Sequence, residues 1–344
     1  MSQRQTMIML LAILVVAGWL GLRRYEEAWL AKPIPAQQPV VFVVPTGSSL
    51  TSVANSLAQA RLLDHPWIWK RHAQRAGAAT RIKAGEYQIE PGVTPAGLLQ
   101  QFVAGNVLLY SLTIPEGWTF RQALAAIQGH PVVVAELAGL PPEELMARLG
   151  LAGRHPEGLF FPDTYRFSRG TTDRELLRQA HVRLERELAT TWRMRHAGLP
   201  LDTPYAALIL ASLVERETAV PDERPLIAGV FVNRLREGMR LQTDPSVIYG
   251  LGENFDGDLR RRDLQTDTPY NTYTRAGLPP TPIALPGRAA LMAAVQPSST
   301  AALYFVATGE GDGRHYFATS LVAHNMNVAR HLARLRGGGG DGLR

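Results

Sequence analysis

The sequence predicts an α+β protein in three parts: an N-terminal transmembrane helix, a small α+β module and a larger α+β domain. Three observations carry this. An uncharged apolar run opens the chain. A β-branched run, a Pro/Gly turn, a Ser or Thr and an amphipathic helix then recur in that order. Beyond residue 106, helices and short strands mix without the strand–helix–strand alternation that builds a parallel sheet.

Residues 1–5 form a stub and residues 6–22 the membrane span. No charge occurs from Gln5 to Leu22. At about 1.5 Å per residue, "MIMLLAILVVAGWLGL" is just long enough to cross a hydrocarbon core. Arg23 and Arg24 end it. The following "RRYEEAWLAKP" has no good small-x-small cleavage site, so an uncleaved anchor fits better than a signal peptide. Only Arg4 precedes the span, whereas Arg23, Arg24 and Lys32 follow it. The positive-inside rule alone therefore does not export the bulk of the chain. No later segment is long and apolar enough to span. Residues 23–39 read as a linker, because "AKPIPAQQP" favours extended backbone.

The small module covers 40–105. Its first copy of the strand–turn–helix pattern is "VVFVVPTGSSLTSVANSLAQARLL", with Leu50, Val53, Ala54 and Leu57 at helical spacing. The second is "YQIEPGVTPAGLLQQFVAG". A third, "LTIPEGWTFRQALAAI", opens the larger domain, 106–335. Two stretches rich in aromatics and proline interrupt that domain, "PEGLFFPDTYRF" (156–167) and "DTPYNTYTRAGLPPTPIALPG" (267–287). Long loops of this kind are usually functional or disordered, and the aromatics argue for order. The Gly-rich 336–344 is a flexible tail.

Composition removes several chemistries. The net charge is +6, and Lys occurs only at 32, 70 and 83. The Arg residues are scattered rather than gathered into a stripe, so no nucleic acid partner is expected. There is no Cys, which excludes disulfides, thiolate metal sites and a Cys nucleophile. The nine His include no close pair at metal spacing, and no metal or other cofactor is expected. The motifs of α/β hydrolases, P-loop nucleotide binders, zinc proteases and Ser–Lys enzymes are missing.

One carboxylate stands out. In "LDTPYAALILASLVERETAV", Asp202 or Thr203 can cap a helix and Pro204 suits its first turn. Ala206, Leu210, Leu213 and Val214 form an apolar stripe, and Glu217 falls on that stripe. Glu215 lies about 200° away and is expected on or near the solvated side, beside Arg216 or Arg236. The two glutamates are therefore not a dyad. A carboxyl on a core-facing stripe must be paired, protonated or beside a cleft. Burial and the negative helix end would both raise its pKa. A neutral acid in an apolar wall suits protonation of a glycosidic oxygen. Two plainer readings compete: the helix frays before 217, or Glu217 pairs with a core Arg such as Arg234. Downstream, "GMRLQTDPSVIYG" reads as a turn and a strand-like run carrying Asp244, whose plainer reading is an Asx turn before Pro245. Tyr270, Asn271, Thr272 and Tyr273 are residue types that line sugar clefts.

Two resemblances follow from these residues. "V-x-x-G-x-S-L-x-x-V-A" within 43–54 resembles a LysM module, from which the insert "DHPWIWKRHAQRAG" (64–77) departs. "ASLVERETAV", "EGLFFPDTYRF", "VFVNRLREGMRLQTDPSVIYG", "TPYNTYTRAGLPPTPIALPG" and "LYFVATGEGDGRHYFATSLVAHN", in that order, resemble the YceG-like (MltG) family of endolytic murein transglycosylases. The resemblance covers about 40–334. It implies a single-pass protein of the inner membrane with its bulk in the periplasm, a LysM-like N-terminal module and a catalytic domain behind it. It implies cleavage of peptidoglycan glycan strands between MurNAc and GlcNAc with 1,6-anhydro ends, and peptidoglycan synthases as partners. It assigns the catalytic acid to Glu217 and leaves Gln242, Thr243, Asp244, Tyr270, Asn271 and Tyr273 to hold the sugars. A muramidase using Glu217 and Asp244, or a wall-binding scaffold without chemistry, are the alternatives.

Overall fold

A computed structural model describes residues 3–338 of the chain. The stub and tail expected at 1–5 and 336–344 lie partly outside these residues. The described residues divide into two compact units, 3–110 with 166–170 and 111–165 with 171–338.

The first unit begins with α1, Gln3–Ala31, a helix of 29 residues. Its N-terminal part is apolar and exposed, and it is the one described helix long and apolar enough to cross a membrane. The expected linker at 23–39 is corrected here: residues 23–31 continue the helix, because its last turns have partners. Glu26 is buried and pairs with Arg71 at 3.1 Å and Arg75 at 2.7 Å. The Trp29 indole N–H donates to Asp64 at 2.7 Å. Ile34 is buried too, and its N–H donates to the Val93 carbonyl. Only the stretch from Lys32 on leaves the helix.

The rest of the unit is β1 (Val40–Val44), α2 (Leu50–Gln59), α3 (Pro66–Arg75), β2 (Gly85–Ile89) and α4 (Pro95–Ala104). The strands pair antiparallel, Val40 opposite Ile89 and Val44 opposite Gly85. Phe42 and Val44 point into the core while Val41 and Val43 are exposed, the period-two pattern of a half-buried strand. Ser49 caps α2 through the Ser52 N–H, and Thr94 caps α4 through the Gly97 N–H. The insert at 64–77 supplies α3, whose Trp69 is fully buried and donates to the Pro95 carbonyl at 2.9 Å. Phe102 gathers the core, with the Phe42, Trp69 and Tyr87 rings around it.

The chain crosses between the units within β3 (Tyr110–Thr113) and β4 (Thr164–Phe167). The second unit is mainly helical: α5 (Phe120–Gln128), α6 (Pro142–Arg148), α7 (Asp173–Arg193), α8 (Pro204–Glu217), α9 (Arg224–Arg236), α10 (Asp244–Leu251), a 3-10 turn (Gly252–Asn254), α11 (Arg261–Gln265) and α12 (Arg288–Val295). The hairpin β5 (Tyr304–Ala307) and β6 (His315–Ala318) and the helix α13 (Leu321–Gly338) close it. Thr119 with Gln122 and Thr172 with Glu175 form capping boxes that start α5 and α7. The helix α8 sits in the middle and packs against α7, α9, α10 and α12. The expected strand-like run at 238–250 is corrected: "DPSVIYGL" is helical, because Pro245 in the first turn sets a helical φ and removes only an N–H that the first turn leaves unpaired.

Two outcomes are expected. Removing residues 1–24 leaves the first unit folded, whereas removing 1–31 takes Glu26 and Trp29 with it and lowers the melting temperature of that unit by several degrees; calorimetry on the two truncations decides. Gly229→Ala places a Cβ 2.6 Å from the Ser298 carbonyl oxygen on a helix that allows no gap, so it destabilises the second unit by about 1–3 kcal/mol in urea denaturation.

Candidate active site

The site is built on α8. Thr203 caps it, accepting from the Ala206 N–H at 3.1 Å, with Pro204 in the first turn. Ala207 through Val214 are buried without a break, so the helix is enclosed on every face rather than along one stripe. It stays helical through Glu217 and ends as Thr218 turns extended. The helix therefore does not fray before Glu217.

The Glu217 carboxyl meets Thr243. The Thr243 hydroxyl donates to Glu217 Oε1 in a short hydrogen bond. Burial is the main force on this carboxyl and raises its pKa to about 7. The Thr243 bond and the Arg234 charge pull the other way, and the Asp244 charge adds to the rise. Arg234 stays at a distance, its own hydrogen bonds going to the carbonyls of Leu303 at 2.6 Å and Leu241 at 2.8 Å. Arg234 thus holds the 240–242 segment and acts on Glu217 through space.

Thr243 is itself fixed. It is 1% exposed, its N–H donates to the Thr272 hydroxyl at 3.0 Å, and its carbonyl accepts from the Ser246 hydroxyl at 2.9 Å. Gln242 before it has φ of 50°, the left-handed region that non-glycine residues seldom occupy. Its N–H donates to the Thr272 carbonyl at 3.1 Å, which holds the unusual turn closed. Asp244 opens α10, is exposed, and accepts from the Tyr273 hydroxyl at 2.5 Å. Burial, with that bond, holds the Tyr273 proton on well beyond the usual tyrosine range.

The other expected sugar-holding residues separate. Tyr270 lines a cleft, with its hydroxyl 2.9 Å from that of Thr281. Asn271 is corrected: it is fully buried and its amide is spent on backbone. Its NH2 donates to the carbonyls of Thr266, Leu264 and Asp263, and its Oδ1 accepts from the Tyr273 N–H. Asn271 is therefore the knot of the 263–274 loop.

Glu215 is also corrected. It does point to the other side of α8, but that side is not solvent. Its side chain is 5% exposed and lies 3.3 Å from Arg224. Its Oε2 accepts from the Gly287 N–H at 2.9 Å. Burial raises its pKa despite these partners.

Sequence reasoning missed Glu157 and Tyr249. Glu157 is 4% exposed and accepts from the Phe120 N–H at 2.8 Å and the Tyr249 hydroxyl at 3.2 Å. Burial again dominates and raises its pKa to about 7. Both residues line a cleft of about 510 Å³ together with Arg216, Pro245 and Tyr270. The available signal was a carboxylate inside the aromatic stretch 156–167.

Fold and site together define a helical domain that shields one acid at the end of an enclosed helix, beside an aromatic-lined cleft. Residues 42–330 match the YceG-like family, and the chain belongs to it. An endolytic murein transglycosylase of Bacillus subtilis is 30% identical over 307 residues, covering 84% of each chain. One of Streptococcus pneumoniae is 29% identical over 358 residues, covering 94% of this chain and 64% of its own. The chain thus spans less than two thirds of the pneumococcal relative's length. The crystal structure of a putative YceG-like protein of Listeria monocytogenes is 28% identical, with a TM-score of 0.52, over 85% of this chain and 99% of that one.

Glu157 and Glu217, both raised to about 7, make stability depend on pH. Unfolded, each titrates near 4.5; folded, near 7. Between these values the folded state binds more protons, so stability falls as pH rises through that window and levels off above it. A group moved this far costs up to about 3 kcal/mol once ionised. Glu217→Gln removes its share, so its denaturation midpoint gains on wild type from pH 4.5 to 7.5. Burial raises Glu215 as well, so its Gln variant gains on wild type in the same sense as pH rises, but from a lower base, because Arg224 loses its charge partner at a cost of about 1–3 kcal/mol. Urea titrations across that pH range test both.

Proposed function

We propose that this chain is a membrane-anchored endolytic lytic transglycosylase of peptidoglycan with Glu217 as its acid and base. The observation that carries the reading is the Glu217 carboxyl at the end of α8, bonded by the neutral Thr243 hydroxyl rather than by an arginine and raised by burial to about 7. The names of the curated relatives support the substrate class.

In this mechanism the bond from Thr243 occupies Glu217 Oε1. The proton then resides on Oε2, free to be given to the oxygen linking MurNAc C1 to GlcNAc. As the C1–O bond breaks, the MurNAc C6 hydroxyl attacks C1 and its proton passes to the Glu217 carboxylate. The product is a 1,6-anhydro ring, no water is consumed, and the acid is regenerated. Thr243 stabilises the carboxylate between the two transfers, and burial favours its reprotonation. Gln242, Asp244, Tyr270 and Tyr273 would orient the sugars, a role supported for Asp244 and Tyr273 by their electrostatic reach to Glu217.

The strand–helix–helix–strand order of β1, α2, α3 and β2 supports a LysM-like module. The apolar start of α1 supports a single-pass anchor. Murein lies outside the cytoplasm, so the bulk of the chain would be periplasmic and the anchor in the inner membrane, where peptidoglycan synthases are the natural partners.

Mass spectrometry of murein digested by the chain lacking 1–24 is the deciding experiment. Anhydro ends are expected; reducing ends would favour the two-carboxylate muramidase, and no cleavage a scaffold. Glu217→Gln should lose about two to four orders of magnitude in rate, and Asp244→Asn should lose less.

A further inference from the structure

The helix α1 meets the rest of the first unit just beyond the end of its apolar run. Tyr25 and Glu26 lie three and four residues past Leu22, about 5–6 Å along the axis. That is the depth of the headgroup layer, since a bilayer of about 40–45 Å encloses a hydrocarbon core of about 30 Å. Both ends of α3 reach this one turn of α1. The Tyr25 hydroxyl is 3.0 Å from Nε2 of His65, the residue that precedes α3. Glu26 pairs with Arg71 and with Arg75, the last residue of α3. His65 and Arg75 are about 15 Å apart along the helix. A helix that touches one level of another at both of its ends lies across it. With α1 upright in a bilayer, α3 lies along the surface.

The composition of α3 suits that place. Ile68, Trp69 and Ala73 are buried in the unit. Trp67, Lys70, Arg71 and Gln74 follow the i, i+3, i+4, i+7 spacing of a second face, which Arg75 borders. Trp67 is 48% exposed, and the side chains of Arg71 and Arg75 are 36% and 43% exposed although they pair with Glu26. Five cations, Arg23, Arg24, Lys70, Arg71 and Arg75, stand at this level against three carboxylates, Glu26, Glu27 and Asp64. Two of the three are engaged, Glu26 by its arginines and Asp64 by the Trp29 N–H. Just inside this level, Arg23 lies over the Trp19 ring, 4.3 Å from its centroid, and tryptophan is enriched at such a depth. An open indole among cations, on a helix parallel to the bilayer, is the pattern of an interfacial helix.

We propose that α3 is a second membrane contact of this chain, its Trp67, Lys70 and Arg71 face resting on anionic phospholipid headgroups. The indole enters the interface, and the cations meet lipid phosphates. One helix through a bilayer leaves the unit above it free to tilt, and this contact removes that freedom. The position of the face within the headgroup layer favours lipid over a soluble anion. The proposal rests on the reading of α1 as a membrane anchor.

The test uses the full chain in nanodiscs. The chain has no Cys, so Gln74→Cys gives a single attachment point for an environment-sensitive fluorophore on this face. In discs of mixed phosphatidylcholine and phosphatidylglycerol its emission should shift to the blue, and doxyl-labelled lipid should quench it several-fold more than in phosphatidylcholine alone. Raised salt should weaken the difference, because exposed charges are screened. Trp67→Ala with Lys70→Glu, neither of which pairs with Glu26, should abolish the difference with unchanged circular dichroism. Equal quenching in the two lipids overturns the proposal, and this comparison stands even if the double variant unfolds. An unchanged response in a folded double variant overturns it too, as does the same blue shift from inorganic phosphate added to phosphatidylcholine discs. The anchor reading fails differently, by a chain that alkaline carbonate strips from vesicles of either lipid.

Discussion

The enclosure of α8 is the constraint on which the rest of the second unit depends. A helix buried from Ala207 to Val214 on every face has no solvated side on which to place its polar groups. Each must be met by protein, because an unpaired buried polar atom is costly. Ser212 answers by accepting the Ile283 N–H, and Glu215 by accepting the Gly287 N–H. These bonds satisfy the helix and, in return, fix 281–287, a segment buried throughout with no secondary structure of its own. Leu285 completes it by exchanging backbone bonds with Trp118 and Gly117. A buried irregular segment is rare because its backbone needs partners; here α8 supplies them.

The two carboxyls on α8, Glu215 and Glu217, differ in what meets them. Glu215 has an arginine against it, whereas Glu217 has a neutral hydroxyl, with Arg234 kept at a distance by carbonyls. That difference separates two carboxyls on the same turn of helix. A close arginine would hold Glu217 ionised; an entirely apolar wall would hold it protonated. A threonine hydroxyl within a buried site leaves it near the middle, where giving and taking a proton are both feasible. Glu157 shows that burial alone shifts a carboxyl as far, yet its oxygens are closed off by donors on both sides.

Much of this was legible in the sequence because helical phase is local. The spacing of Leu210, Leu213 and Val214 put Glu217 on the inward face, and Thr203 with Pro204 marked the start of the helix. The family resemblance rested on blocks whose order survives in the matched region. What was not legible depended on tertiary surroundings. The polar side of α8 looked solvated because "VERE" carries charge, and only the packing of 281–287 and Arg224 shows otherwise. Asn271 looked like a sugar ligand for its residue type, and three backbone carbonyls within reach decide against it. "SVIY" has strand-like residues, and one proline in the first turn outweighs them. The helical continuation at 23–31 turned on Arg71 and Arg75, forty and more residues away.

The precision of the site comes from side chains that hold backbone rather than from a sheet. Among the described residues the three sheets have two strands each, too few to form a rigid platform. Arg234 grips the carbonyls of residues 240, 241 and 303, Asn271 grips its own loop, and Thr272 clamps both sides of Gln242–Thr243. The positive φ of Gln242 is the cost of this arrangement, since a turn that sharp at a non-glycine persists only where its surroundings over-determine it. The turn aims the Thr243 hydroxyl at Glu217 and starts α10 immediately afterwards. One short helix therefore begins beside Glu217 and carries Ile248 and Tyr249 to the lining of the cleft. Both of its ends are tied down by carboxyls, the first by Glu217 of α8 through Thr243 and the last by Glu157 through Tyr249.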